Sequence, residues 1–259
     1  MINFVNTSWF FVGLVLISFG MQASVWVYFG LYIAYTAIFF RAAFDVSSNF
    51  FMPVLCSSPT VAKEIAISFD DGPSEYTPEI LRILDQYQVE AAFFCIGKHL
   101  ADHPTLGQEL HRRGHLIGNH TDSHHFWFDC FTTGHMLADM RRMDARVEAL
   151  IGVRPRLFRP PYGVTLPWLK AAVDAGGYEA IGWSVRSLDT IINDEQKLLN
   201  KVVAALEPGA IFLFHDTRKI TAAILAQFLE QATLQGYRVV RVDKLLNLEP
   251  YVPVLVNRF

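Results

Sequence analysis

The first forty residues, MINFVNTSWFFVGLVLISFGMQASVWVYFGLYIAYTAIFF, contain no Asp, Glu, Lys or Arg. A bilayer core of ~30 Å is crossed by ~20 helical residues, so this run is too long for one ordinary span. Its weak point is the cluster of Gly20, Gln22 and Ser24. Two helices are predicted, over 4–20 and 24–41, folded as a transmembrane hairpin with Trp9 and Trp26 near the interfaces. A cleaved signal peptide is the competing reading. Against it stand the missing positive n-region, the missing small-residue cleavage site and the length of the apolar run. Arg41 is the only nearby cation and gives little for the positive-inside rule.

The apolar excess is concentrated there. Apolar residues make up 52% of the chain and charged ones only 18%, unusual for a wholly soluble protein. The 259 residues allow one large domain, or a domain with an appendage. With 22 Lys+Arg against 25 Asp+Glu and no basic run, a nucleic-acid partner is not expected. Cys56, Cys95 and Cys130 are odd in number, scattered and without a C-x-x-C pair. Cys95, inside AAFFCIG, reads as a core residue.

The expected organisation is a membrane anchor at 1–43, a Ser/Pro-bearing linker at 44–62 and a catalytic domain at 63–259. Candidate strands at 64–70, 91–97, 115–119, 156–160, 179–185, 210–215 and 237–241 alternate with helical patterns, several of them ending on Gly. Such alternation means a parallel sheet, and about seven units suggest a closed or nearly closed barrel. A doubly wound open sheet is the alternative. In a (β/α) barrel the chemistry gathers where strands end.

The first strand ends on Asp70 and Asp71, followed by a Gly72-Pro73 turn. One carboxylate could cap the next helix near Thr77, but that leaves the other unexplained. Two adjacent carboxylates call for a cation or a shared proton. The third strand leads into GNHTDSHH, where His120 and His124 are four residues apart; one helical turn would put both rings on one face. Asp71, His120 and His124 make a mixed N/O donor set of the catalytic zinc type. His125 points off that face and reads as a loop residue. One Asp then binds metal, and Asp70 is free to take a proton from water. Arg159 in FRPPYG, directly before two prolines at a strand end, is rigidly aimed. Asp189 follows the fifth strand, and His215 ends the sixth at the mouth, where a proton-transfer role is expected.

In this order, SFDDGP, HTDSH, RPPYG and LFH resemble the motifs of the polysaccharide deacetylase family, the NodB homology domain of carbohydrate esterase family 4. The likeness runs from about 64 to 245. It implies a distorted (β/α) barrel in which Asp70 is the general base and Asp71, His120 and His124 bind a divalent metal. That metal would be zinc first, with cobalt or another divalent ion possible. His215 would be the general acid. Arg159 would orient Asp70, the Tyr162 N–H would help hold an oxyanion, and Leu213 would line the acetyl pocket. The implied reaction removes N-acetyl groups from an amino-sugar polymer or oligomer, releasing acetate. An O-acetyl ester, another amide, or a sugar-binding pseudoenzyme are the rivals. Acetylated wall polymers lie outside the cytoplasm, so the catalytic domain is expected to face the periplasm or exterior.

The fourth motif departs from the resemblance. The family commonly has D-x-x-D-W; here RSLDT puts Arg186 at the first Asp and Thr190 at the Trp, and only Asp189 survives. The first Asp supports the catalytic His in the family, so Asp189 is predicted to hydrogen-bond His215 instead, with Arg186 turned away or paired with another acid. The competing role for Asp189 is to cap the helix near Asn193. Trp183, or the run Phe126-Trp127-Phe128, is expected to cover the wall that the missing Trp leaves.

Overall fold

The structure, a computed structural model, describes residues 3–253. Helices α1 (Phe4–Gly20) and α2 (Val25–Ala43) come first, capped by the side chains of Asn3 and Ser24. They touch: Ser8 Oγ and Tyr35 Oη lie 2.9 Å apart, and Phe11 meets Tyr35 edge to face. By length and composition α2 can cross a membrane, with a mean hydropathy of 1.4, whereas α1 is shorter at 17 residues. Trp9, Phe19 and Trp26 are exposed, and along α2 only Ala42 and Ala43 are buried.

Strands β1 (Glu64–Asp70), β2 (Ala92–Cys95), β3 (Leu116–Asn119), β4 (Val153–Pro155), β5 (Leu157–Phe158), β6 (Glu179–Ala180), β7 (Val185–Arg186), β8 (Ile211–His215), β9 (Arg238–Val239) and β10 (Tyr251–Pro253) follow. Between them run α3 (Thr77–Gln86), α4 (Gly97–Asp102), α5 (Pro104–Arg112), α6 (Thr133–Ile151), α7 (Pro167–Gly176), α8 (Glu195–Ala204), α9 (Lys219–Leu234) and α10 (Val242–Leu246). The parallel order is β6-β5-β3-β2-β1-β8-β7, with β9 also beside β1 and with β4 and β10 forming a small antiparallel pair. β1 is central and buried on both faces, as its unbroken apolar run dictates. Ile65, Ile67 and Phe69 pack towards Leu84 and Phe228, while Ala66 meets Phe94 and Ile211. Each such Phe withdrawn from water contributes roughly 1.5–3 kcal/mol.

Seven parallel strands thus form a half-barrel, not a closed one. The strand expected at 179–185 is two, and they lie at opposite edges of the sheet. After Ala180 the chain must cross the opening from β5 to β8, and Ile181–Ser184 makes that crossing, so it cannot pair as a continuous strand. The gap is filled by the segment expected as a linker. Leu55 N–H donates to Ala180 O and Gly182 N–H to Leu55 O, each at 2.9 Å, and Ser58 N–H donates to Gly209 O at 2.9 Å. Val46, Phe50, Phe51, Met52 and Val54 of that segment are buried. It is part of the domain's packing, not a free tether.

The end of α2 is packed as well. Ala42, Ala43, Phe50, Phe51, Val164 and Leu166 form one cluster, against which Phe4 and Phe39 lie. Thr165 N–H donates to Ala43 O at 3.0 Å and Phe4 N–H to Phe50 O at 2.9 Å.

Candidate active site

The parallel register aligns Asp70 with both Phe94 and His215, and Asn119 with both Cys95 and Phe158, so the strand ends share one edge. A cavity of about 230 Å³ opens there, and Asp70, Asp71, His120, His124, Tyr162, Trp183, Leu213 and His215 are among the residues lining it.

Asp70 is buried, and its Oδ1 accepts from Arg159 Nη1 at 2.7 Å. Arg159 is itself wholly buried. Its other donors go to Ser68 Oγ (2.7 Å), Ile181 O (3.2 Å) and Gly182 O (2.8 Å), and its guanidinium lies 4.0 Å from the centre of the Phe94 ring. Burial lowers the Arg159 pKa, partly countered by the Asp70 charge. With all three of its guanidinium nitrogens engaged, Arg159 holds Asp70 Oδ1 in one place. Asp70 Oδ2 is left 3.9 Å from His120 Nε2. Helix α3 takes no side-chain N-cap, so neither Asp70 nor Asp71 is a cap.

Asp71 Oδ1 lies 3.5 Å from His120 Nε2 and 3.6 Å from His124 Nε2. The three ligand atoms are all within 4.8 Å of one another. Bonds of ~2.0–2.2 Å to a tetrahedral ion separate neighbouring ligands by roughly 3.3–3.6 Å, so both Asp71–His separations match a shared divalent metal. The groups that would orient these donors are also in place. His120 Nδ1 is 2.8 Å from Arg159 O, which turns Nε2 towards Asp71, and His99 Nδ1 is 2.6 Å from Asp71 O. Burial works to raise Asp71, but His120, His124 and His215 outweigh it and hold the carboxyl well below its ordinary range. Burial, helped by His120, pushes His124 down to about 4, which favours the neutral imidazole that metals bind.

His120 and His124 are not on a helical turn as expected. Residues 120–125 form a loop in which Thr121 (φ 65°) and His124 (φ 42°) are left-handed. Side chains replace the helical bonds: Thr121 N–H donates to Asn119 Oδ1 (2.8 Å) and His124 N–H to Thr121 Oγ1 (2.9 Å). Asn119 is in turn fixed by donating to Met140 O and Asp144. The imidazole centres still come within 4.8 Å.

Across the cavity His215 Nδ1 is 2.8 Å from Asp189 Oδ1, the hydrogen bond expected from the altered fourth motif. Asp189 is buried, and its Oδ2 accepts from His215 N–H (2.7 Å) and Thr221 Oγ1 (2.6 Å). The helix cap is Asp194 instead. Burial works to raise Asp189, but its bond to His215 prevails and lowers it; reciprocally, Asp189 lifts His215 against burial. Arg186 is not turned away: it lines the cavity with Thr190, and no acid pairs with it among the described residues.

Tyr162 sits at φ 57°, a strained backbone for a non-glycine residue and a frequent mark of a working loop. Gly163 beside it (φ 71°) has no room for a Cβ, which would come 2.6 Å from the Trp183 ring. Trp183 therefore walls the cavity as expected. The aromatic run is divided, with Phe126 and Trp127 exposed and Phe128 wholly buried in the core. Ser68, His99, Asn119 and Thr221 were missed from sequence. A polar Ser68 within an apolar strand, and Asn119 just before His120, were the available signals; His99 offered none.

Residues 57–181 match the family model described as polysaccharide deacetylase. A peptidoglycan-N-acetylglucosamine deacetylase of Bacillus cereus is 36% identical over 194 residues, covering 73% of this chain and 90% of its own. The peptidoglycan-N-acetylmuramic acid deacetylase PdaA of Bacillus subtilis is 29% identical over 192 residues, covering 72% and 73%. The crystal structure of the Bc1960 peptidoglycan N-acetylglucosamine deacetylase superposes with a TM-score of 0.72 at 29% identity, covering 76% of this chain and 94% of that one. With the motifs in place along one strand edge, the chain belongs to the polysaccharide deacetylase family.

Proposed function

We propose that the protein is a metal-dependent N-deacetylase of acetylated amino sugars in a cell-envelope glycan, held at a membrane by α1 and α2. The observation that carries this reading is the convergence on one cavity of a three-ligand set, a carboxylate clamped by arginine, and a histidine backed by Asp189. Both named relatives act on N-acetylated amino sugars of peptidoglycan, which favours N-acetyl over O-acetyl chemistry. The cavity is smaller than the ~300–1,000 Å³ typical of pockets that enclose a drug-sized ligand. One sugar and its acetamido group therefore enter, while the rest of a polymer lies outside.

A divalent ion, zinc in this reading, held by Asp71, His120 and His124 would polarise the amide carbonyl and make bound water more acidic. Arg159 fixes Asp70 so that Oδ2 takes the proton of the attacking water. The Tyr162 N–H helps hold the oxyanion, and Leu213 receives the acetyl methyl group. His215, kept protonated by Asp189, delivers its Nε2 proton to the departing amine. The products are acetate and a free amino sugar.

The exposed apolar flanks of α1 and α2 support the anchor, since contiguous surface of this kind is rare in water. The catalytic domain is placed outside the cytoplasm, with the wall glycans. The test is acetate release by the full-length protein in detergent from a panel of N- and O-acetylated glycans, with and without chelator. Chelator-sensitive release from N-acetylated sugars is expected; chelator-insensitive release, or none from any glycan, refutes the reading.

A further inference from the structure

The Arg186 side chain is exposed and lines the cavity, one strand away from the site, with its residue paired in register to Leu213. Every carboxylate beside it is already engaged: Asp70 by Arg159, Asp71 by the histidines, Asp189 by His215 and Thr221. No acid lies within ion-pair reach of Arg186 among the described residues. Lys201 Nζ donates to Arg186 O at 2.6 Å, adding a second cation close behind it. The next cavity along, which shares Thr190, adds Arg218 and Lys219 against Glu195 and Asp189, the latter already bonded to His215 and Thr221.

We propose that Arg186 is a specificity-determining residue that selects an amino sugar bearing an anionic substituent, a carboxylate or a phosphate, next to the acetamido group. This rests on the deacetylase reading and narrows its substrate class. A guanidinium presents a planar fork that matches a carboxylate or phosphate with two parallel hydrogen bonds. A neutral sugar entering the cavity would strip water from that fork and return no charge, which costs binding energy. A concave wall with low-dielectric surroundings also concentrates the field on an entering anion. A lactyl carboxylate, as in a muramic acid, and a sugar phosphate, as in a lipid-linked precursor, share this chemistry.

Equilibrium binding separates recognition from turnover when it is measured on the full-length Asp70→Asn protein in detergent. The probes are a neutral N-acetylglucosamine oligomer, a glycan containing N-acetylmuramic acid, and N-acetylglucosamine 1-phosphate. One acidic probe is expected to bind about 10- to 100-fold more tightly than the neutral one, the scale of a charge-assisted pair. Which acidic probe shows the preference identifies the source of the anion. Adding Arg186→Ala should abolish the preference and Arg186→Lys should keep part of it, each with an unchanged thermal midpoint. In the protein with Asp70 intact, Arg186→Ala should lower kcat/KM for the acidic substrate through KM more than through kcat. Equal affinity for acidic and neutral probes, no binding of either acidic probe, or a preference that survives Arg186→Ala overturns the proposal. A retained acidic preference without acetate release from any glycan would instead refute the deacetylase reading alone.

Discussion

Asp70 and Asp71 are chemically identical neighbours, and the different work proposed for them rests on their different surroundings. Asp71 faces two imidazoles, whereas Asp70 is gripped from behind by Arg159. Asp70→Asn should therefore leave metal content near that of the wild type and reduce turnover by about 10²-fold or more. Metal analysis alongside a rate assay checks this, and loss of metal together with activity would make Asp70 a ligand. The histidine on the other wall leads to a pH prediction. In the proposed reaction its proton goes to the leaving amine, and Asp189 raises the pKa at which that proton is lost. Activity should hold until the pH passes that raised value. Asp189→Asn removes the charge, so the basic limb of the pH–rate profile should move to lower pH, with a fall of roughly 10- to 100-fold in kcat. An unmoved basic limb at near-wild-type turnover would show that the carboxylate does not support the acid. Asp189, the acid that RSLDT retains, is thus the carboxylate placed to support His215.

The elements that carry the site were legible where periodicity is local. β1 and β8 are short apolar runs ending on Asp70 and His215, and α6 ends on Gly152 in the left-handed conformation its sequence announces. What could not be read was long-range: that 179–185 is divided between two sheet edges, and that residues 55–58 occupy the gap between them. Likewise, the spacing of His120 and His124 pointed to a candidate ligand pair but not to the loop, which depends on Asn119 bonding across to α6. Another pairing that sequence did not suggest joins the start of β3 to β2. His115 Nδ1 accepts the Ala91 N–H at 3.1 Å, so the neutral ring carries its proton on Nε2, which is buried without a partner. Protonating Nδ1 would destroy that bond, and burial pushes the His115 pKa down to about 4. The folded state resists a proton that the unfolded chain accepts near pH 6.5, so this contribution is full above 6.5 and is lost as pH falls towards 4. The loss could reach about 3 kcal/mol. His115→Asn keeps an acceptor for Ala91 and cannot titrate; its thermal midpoint should be lower at neutral pH but fall less between pH 6.5 and 4 than that of the wild type. Parallel pH dependence in the two proteins would exclude His115 as the source.

At the scale of the whole molecule, the proposed anchor is not a tether. A flexible linker would let the catalytic domain sample a wide shell above the membrane, whereas here α2 runs directly into the cluster of Ala42, Ala43, Phe50, Phe51, Val164 and Leu166. The Thr165–Ala43 hydrogen bond lies three residues from Tyr162, so the loop that shapes the cavity is joined to the end of the helix. On this reading the site is held at a fixed and short distance from the bilayer, within reach of membrane-proximal or membrane-linked sugars. Removing residues 1–43 should then do more than release the protein from membranes. It uncovers Phe50, Phe51, Val164 and Leu166, and the lost burial, at roughly 1.5–3 kcal/mol for a fully buried side chain of this size, sums to several kcal/mol as an upper bound. For a domain of this length each kcal/mol lowers the thermal midpoint by about 2–4 °C, so a drop of about 5 °C or more is expected, with self-association through the uncovered patch. Phe51→Ser in the full-length protein should reproduce part of that drop while leaving the protein in the carbonate-resistant membrane fraction. If the truncated domain melts at the full-length temperature and stays monomeric, the contacts between α2 and residues 164–166 carry no stability. The catalytic domain would then be an independent unit on a tether.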